Sequence, residues 1–126
     1  MKQEVSTKNA PEAVGPYVQG IKAGGFLFVS GQLPLDPTTG VPVEGGISVQ
    51  TKRVMNNIKA IVEEAGAHLD ALVKTSCYLA DIEDFPAFNN AYGEFFTGVP
   101  PSREAIEAAA LPKGVRLEIS AVCRLE

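Results

Sequence analysis

The sequence contains few residues of the types on which many catalytic sites depend. Tryptophan is absent, and the 126 residues include one histidine and two cysteines. A Ser-His-Asp triad or a histidine-rich metal site would need His68, which follows Gly66 in a polar turn where we expect exposure to solvent. Cys77 and Cys123 lie far apart without CxxC spacing, which predicts two buried, reduced thiols rather than a metal site.

The chain also lacks long apolar runs and clusters of basic residues. No stretch of about 18 apolar residues could cross a membrane, and residues 1–15 lack the apolar core of a signal peptide. We therefore expect a cytoplasmic protein without a membrane partner. The net charge is −4 and the longest basic cluster is the Lys-Arg pair at 52–53, so we expect no nucleic-acid partner.

The patterns that are present predict one α+β domain over residues 1–126. The clearest helix is predicted over 48–65, with Ser48 as its N-cap and Gly66 ending it in a left-handed conformation. A second helix is predicted to open at Asp84. The first helix has one apolar face, formed by Val54, Ile58, Ile61, Val62 and Ala65. The second carries an aromatic stripe that we interpret as core, formed by Phe85, Phe88, Tyr92, Phe95 and Phe96.

Roughly six strands are predicted around these helices. Their ranges are 3–8, a hairpin of 17–22 and 26–31 turning at 23–25, then 72–80, 103–110 and 115–124. The last strand alternates, so Glu118 faces away from the apolar side that carries Leu117 and Ile119. Two helices cover only one face of such a sheet. We expect the other face to form a subunit interface, because its side chains are mixed in polarity. These side chains are Ser76, Tyr78, Ala80, Glu118, Ser120 and Val122.

Five segments in this order closely resemble the RidA/YjgF reactive intermediate deaminase family. They are NAPEAVGPYVQG (9–20), FVSGQLPLDPTTG (28–40), QTKRVMNNIKAIVEEAG (50–66), VKTSCYLADIEDFPAFNNAYGEFF (73–96) and PPSREAIEAAALPKGVRLEISAV (100–122). The resemblance spans nearly the whole chain. It implies a chorismate mutase-like fold and a homotrimer with a central barrel-like core and clefts between subunits. It also implies hydrolysis of 2-imino acids, such as 2-iminobutanoate and 2-iminopropanoate, and of their enamine tautomers to 2-keto acids and ammonia.

The resemblance also assigns residues to a site. Arg103 matches the arginine that binds the substrate carboxylate, and Glu118 matches the glutamate that positions the hydrolytic water. Tyr17, Gly31 and Asn89 match residues that line the pocket, and the backbone carbonyl of Ala105 matches a water ligand. A guanidinium suits a carboxylate because two parallel hydrogen bonds form, and hydrolysis of an imine needs neither a metal nor an organic cofactor.

The sequence departs from the family pattern directly after the arginine. Glu104 and Ala105 replace a small residue followed by Cys or Thr, and Ala110 stands where many relatives have a second arginine. These changes bear on substrate range more than on the type of reaction. Two alternatives stay open: a non-catalytic regulator that binds small keto acids, and, against the acidic charge, a ribonuclease or translation inhibitor as described for some relatives.

Overall fold

The computed structural model describes residues 1–126, which form one six-stranded sheet and two α-helices. The strands are β1 (Gln3–Val5), β2 (Gly20–Ala23), β3 (Phe26–Gln32), β4 (Leu72–Leu79), β5 (Ser102–Glu107) and β6 (Leu117–Arg124). The helices are α1 (Ile47–Glu64) and α2 (Phe85–Gly93), and single-turn 3-10 helices cover Leu69–Ala71, Ile82–Asp84 and Pro112–Gly114. The predicted α+β class is confirmed.

The strand order places the C-terminal strand in the middle of the sheet. The order is β1-β2-β3-β6-β4-β5, and all neighbours are antiparallel except β4 and β5. The parallel pair requires a crossover connection, which α2 supplies. Strand β5 therefore lies at one edge of the sheet, with α2 above it.

Both helices lie on the same face of the sheet, over one hydrophobic core. The predicted apolar face of α1 is buried, including Val54, Ile58 and Ile61 at zero exposure. On β6 the side chains alternate as predicted. Leu117, Ile119, Ala121 and Cys123 are buried in the core, whereas Glu118, Ser120 and Val122 are half-buried on the opposite face, which we call the open face.

The hairpin and the end of α1 follow the sequence signals. Gly24 and Gly25 both have left-handed φ angles, +60° and +83°, as a two-residue turn between twisted strands requires. Gly66 has φ +89°, and the amide of Ala67 donates to the carbonyl of Val62 in a Schellman motif. Cys77 and Cys123 are free and buried, and His68 is exposed. No helix combines the length and apolarity needed to cross a bilayer.

Three local predictions are wrong. Helix α1 begins at Ile47 with Gly46 as its N-cap, so Ser48 falls in the first turn and caps nothing. Strand β2 begins at Gly20, which leaves Tyr17 in the loop before it. The predicted strand 103–110 ends at Glu107.

Candidate active site

Arg103 lies on β5 with its guanidinium beneath α2. Its strand partner is Thr75, whose side chain is fully buried on the helix-covered face, so Arg103 extends toward the same side. Nη1 of Arg103 donates to Oδ1 of Asn89 over 2.8 Å. The guanidinium carbon lies 5.3, 5.7 and 5.0 Å from the ring centroids of Phe85, Phe88 and Tyr92. We call Arg103, Asn89 and these three aromatic residues the arginine region.

Helical spacing brings the α2 members of the arginine region together. Phe85, Phe88, Asn89 and Tyr92 stand at i, i+3, i+4 and i+7, which places them on one face. The hydroxyl of Tyr92 is hydrogen-bonded to the buried hydroxyl of Thr75 at 2.7 Å, so the ring is fixed against β4. Cation–π contacts of this kind contribute about 0.5–1 kcal/mol each at exposed sites. Arg103 is therefore oriented before any ligand arrives.

A cavity of about 450 Å³ opens beside the guanidinium of Arg103. Its walls are formed by Asn89, Tyr92, Gly93, Phe96, Gly98, Pro100 and Pro101. The two prolines restrict the chain immediately before β5 and so fix where the strand begins. The cavity thus combines one fixed cation with walls that are largely aromatic and proline surface.

Cys77 lies in the core below the arginine region. Burial raises the pKa of its thiol to about 11, with a smaller opposing effect from Thr75. Burial likewise raises the pKa of the Tyr92 hydroxyl. At neutral pH the thiol is protonated, so Cys77 does not supply a thiolate nucleophile.

Glu118 lies on β6 in a different environment. Its strand partner is Tyr78, and both side chains extend to the open face. The carboxylate has no hydrogen-bond or ion-pair partner among the side chains and amides of the chain. Burial raises the pKa of this carboxyl group. A half-buried carboxylate without a partner costs free energy to keep charged, which suggests that its role lies outside the single chain.

Gly31 makes room for the Glu118 carboxylate. The register between β3 and β6 shifts between Val29 and Gln32, and Gly31 lies in this irregularity. A Cβ at Gly31 would overlap the Glu118 carboxylate and stand 3.0 Å from its Cδ. We call Glu118 and Gly31 the glutamate region. The predicted pocket residues thus fall into two pairs, Arg103 with Asn89 and Glu118 with Gly31.

The chain does not bring these two pairs together. Arg103 lies on the helix-covered face and Glu118 on the open face, and strand β4 separates their strands. Tyr17 is 52% exposed and lines another cavity of about 850 Å³, formed with the N-terminal segment. The amide of Ala108 donates to the carbonyl of Leu79 on β4, and the backbone N–H and C=O groups of successive residues point alternately toward β4 and away from it. Those of Ala105 therefore point to the free edge of β5.

Two of the three departures from the family pattern, Glu104 and Ala110, lie outside the cavity beside Arg103. Glu104 extends to the open face, where its carboxylate is 3.7 Å from Nζ of Lys74 and accepts from Oγ of Ser76 at 3.2 Å. Ala110 is exposed, beyond the end of β5. Neither residue limits the space beside Arg103 in its own chain.

The aromatic stripe of α2 has a second role that the sequence interpretation missed. Phe88 and Tyr92 are buried in the core as predicted, but with Phe85 they also surround the guanidinium of Arg103. The signal was present in the sequence, since Asn89 interrupts the stripe and Arg103 follows the crossover.

Comparison with known proteins confirms the predicted family. The profile of the family described as Endoribonuclease L-PSP matches residues 7–125. The chain belongs to the YjgF/RidA family. A RutC family protein of Pyrococcus abyssi is 50% identical over 125 residues, covering 99% of this chain and 98% of the relative. A 2-iminobutanoate/2-iminopropanoate deaminase of Salmonella typhimurium is 43% identical over 125 residues, covering 97% of each chain.

The solved structures of YjgF/RidA proteins share the fold along their whole length. A member of the conserved Rid protein family from Yersinia pestis superposes with a TM-score of 0.97 at 40% identity. The superposition covers 99% of this chain and all of that one. The six-stranded sheet with two helices is therefore the fold of this family.

Proposed function

We propose that this protein hydrolyses 2-imino acids, including 2-iminobutanoate and 2-iminopropanoate, to 2-keto acids and ammonia. The observation that carries the proposal is the fixed guanidinium of Arg103 beside an open cavity. The 43% identical relative is named as a deaminase of these two imino acids. Their carboxylate lies next to the C=N carbon, so binding it at Arg103 would bring the reacting atom into the cavity.

Arg103 is proposed to bind the carboxylate through two parallel hydrogen bonds. A guanidinium has five N–H donors, and within the chain one bond goes to Asn89. The remaining donors on the cavity side can form the bidentate pair, which the single ammonium of a lysine does not reproduce. Asn89 would then act by holding the guanidinium in one plane.

The second half of the site is proposed to come from another copy of the chain. Glu118 lies on the opposite face from Arg103, so one small substrate cannot contact both within a single subunit. The open face also exposes apolar side chains, with Phe28 at 47% and Ile106 at 52%. A face of this kind fits burial against identical subunits. We propose a homotrimer in which Arg103 of one subunit and Glu118 of a neighbour meet at each interface, together with Tyr17 and Gly31.

Glu118 is proposed to orient and deprotonate the attacking water. As the water oxygen bonds to the C=N carbon, its proton passes to the carboxylate and the C=N π electrons move to nitrogen. The resulting carbinolamine then collapses. The nitrogen takes the first proton from Glu118 to form the carbinolamine, and it takes the hydroxyl proton, relayed by the same carboxylate, as the C–N bond breaks. It therefore leaves as ammonia, and the hydroxyl oxygen becomes the keto oxygen. The outward backbone carbonyl of Ala105 would hold the water, and no cofactor takes part.

A coupled assay tests the reaction directly. An amino-acid oxidase generates the imines from alanine or 2-aminobutyrate, and the loss of imine is followed with and without the protein. We expect faster loss with the protein present. The keto-acid regulator remains the second candidate, because the arginine region is complete within one chain and suffices for binding. Binding of 2-ketobutyrate without any acceleration would favour it.

Subunit mixing tests the shared site. Arg103→Ala and Glu118→Gln chains, each strongly impaired alone, are unfolded and refolded together in equal amounts. If each site uses one residue from each of two neighbours, random trimers regain about a quarter of the wild-type activity. Refolding the double variant with itself is the control. No recovery in the mixture, or light scattering at the 13.3 kDa of one chain rather than about three times that mass, would contradict the shared site.

The ribonuclease description attached to the family profile is tested separately. With net charge −4 the chain offers few groups to neutralise phosphates, so we expect weak RNA binding that disappears as salt rises. If the pure protein cleaves RNA and Arg103→Ala abolishes the cleavage, ribonuclease activity would replace imine hydrolysis as the first candidate function.

A further inference from the structure

Two glycines stand in the wall of the cavity beside Arg103. Gly93 is the last residue of α2, and Gly98 lies in the loop that leads to Pro100. A Cβ built on either one meets no atom within 4 Å. Neither has a left-handed φ angle. The backbone conformation and the packing of the chain therefore both permit a larger residue at these positions.

Other glycines of the protein have a visible structural reason. A Cβ at Gly20 would stand 3.1 Å from Ile61 and 3.2 Å from Leu27, and one at Gly31 would overlap Glu118. Gly93 and Gly98 have no such reason, and the feature they share is that both line the cavity beside Arg103. Small residues that packing does not require at these positions suggest that the open space beside them is used.

Within one chain, the space beside Arg103 is larger than a short imino acid needs. Pockets of roughly 300–1,000 Å³ hold drug-sized ligands, and this one is about 450 Å³. Its walls include Tyr92, Phe96 and Pro100, which suit an apolar side chain. With the carboxylate bound to Arg103, the substrate side chain would lie along these walls.

We propose that Gly93 and Gly98 determine specificity by keeping this space open, so that the protein accepts 2-imino acids with branched aliphatic or aromatic side chains. The proposal rests on the function proposed above, and it adds that substrates are selected by the size of their side chains. Filling the space with a side chain on either glycine narrows the cavity without changing the groups that bind the carboxylate.

The test compares substrates of increasing size on Gly93→Val and Gly98→Val. The imines derived from alanine, leucine and phenylalanine are generated in situ, and kcat/KM is measured for each. Wild type is expected to hydrolyse the two larger imines at least as well as the smallest. A valine adds three carbon atoms to the wall of the cavity, and one methylene of misfit in a substrate pocket changes discrimination by roughly 10–200-fold. We expect at least a tenfold loss for the phenylalanine-derived imine and a loss at least severalfold smaller for the smallest.

Gly46→Val is the matched control. A Cβ there also meets no atom within 4 Å, the φ angle is −80°, and the residue lies at the start of α1 rather than in the cavity. It loses helix capping, so it reports any general effect of lower stability. Its ratio of activities between large and small imines should equal that of wild type. Gly93→Ala, which should fold at least as well as wild type, gives a milder narrowing.

Titration with the matching keto acids separates this proposal from the function on which it rests. If wild type hydrolyses none of the imines, the deaminase proposal fails, and the affinities for pyruvate, 4-methyl-2-oxopentanoate and phenylpyruvate still test the two glycines. The size proposal is overturned if wild type rejects the larger compounds. It is also overturned if the valine variants affect all sizes equally or leave every size unchanged.

Discussion

The arginine region and the glutamate region differ in how far one chain completes them. The guanidinium of Arg103 is held by Asn89 and three aromatic rings over an open cavity. The carboxylate of Glu118 is half-buried without a hydrogen-bond or ion-pair partner, and its closest constraint is the space left by Gly31. In the proposed mechanism, substrate anchoring is thus organised within one subunit, whereas activation of the water requires a neighbouring subunit.

The two regions also differ in how the sequence builds them. All five residues of the arginine region lie between Phe85 and Arg103, within a single helix and the strand that follows it. The glutamate region joins Gly31 on β3 to Glu118 on β6, far apart in the chain. Variants of the two regions should therefore separate binding from turnover.

Removal of the Arg103 side chain is expected to have the largest effect. In the proposed assembly a neighbouring subunit covers the exposed Arg103, and loss of one partner of such a covered charge pair costs roughly 2–5 kcal/mol, so kcat/KM should fall about 30-fold to several thousand-fold in Arg103→Ala. Keto-acid affinity should fall in parallel. Arg103→Lys should lie between this variant and wild type, because it keeps the charge but loses the bidentate geometry. Isothermal titration beside the coupled assay checks both quantities. Unchanged keto-acid affinity in Arg103→Ala would remove the residue from the site.

Glu118→Gln is expected to reduce turnover alone. The amide keeps the shape of the side chain but cannot accept the proton, so kcat should fall roughly 100-fold or more. Binding of 2-ketobutyrate should persist, in contrast with Arg103→Ala. Intact turnover in this variant would show that Glu118 is not the base.

The pH profile gives an independent check on the same carboxylate. Burial raises the pKa of Glu118, so the active, deprotonated form is lost on acidification at a higher pH than for an ordinary glutamate. Turnover should therefore decline on the acid side above the usual range of glutamate, and the residual activity of Glu118→Gln should lack this decline. The measurement is kcat against pH in both proteins.

Gly31→Ala tests whether the position of the Glu118 carboxylate in the glutamate region matters for turnover. The added Cβ would overlap the Glu118 carboxylate, which can rotate away because it is the end of a flexible side chain. We expect unfolding temperature to change little and kcat to fall by about tenfold or more, since small misplacements of a catalytic group are costly. Keto-acid affinity should stay near that of wild type. A variant as active as wild type would mean that the position of the carboxylate in one chain is not the catalytic one.

Tyr92→Phe is expected to have the smallest effect, on stability rather than chemistry. It leaves the hydroxyl of Thr75 buried without its 2.7 Å partner, which costs about 1–3 kcal/mol. The ring that contacts Arg103 remains, so kcat should change little. Adding Thr75→Val removes both polar groups and should restore part of the free energy of unfolding. Chemical denaturation of both variants decides between these outcomes.

The sequence predicts which faces of the helices and strands are buried better than it predicts how the arginine region and the glutamate region are placed relative to each other. Periodicity placed α1 and the alternation of β6 correctly because each buries one apolar face. Strand β5 carries no such alternation, since five of its six residues are exposed, so its sequence does not show which face Arg103 takes. The separation of Arg103 from Glu118 depends on the pairing of Thr75 with Arg103, which is a property of the assembled sheet.

The smaller errors have local physical causes. Ser48 is a favourable capping residue, but α1 starts one residue earlier because Ile47 is buried and Gly46 takes the extended cap conformation. The predicted strand 103–110 ends at Glu107 because the following alanines make no further pairing beyond Ala108. The role of Phe85 around Arg103 was missed because an apolar stripe on a helix is most often core.

The free edge of β5 has a consequence for the exchange of amide protons. The amide of Ala108 binds Leu79, so those of Glu104 and Ile106 point into the sheet, while those of Arg103, Ala105 and Glu107 point into solvent. In a single chain, exchange with heavy water should alternate along this strand from one residue to the next. The outward amides should become protected only where a ligand or a neighbouring subunit covers the edge, so the strand that carries Arg103 also reports when its own site is complete.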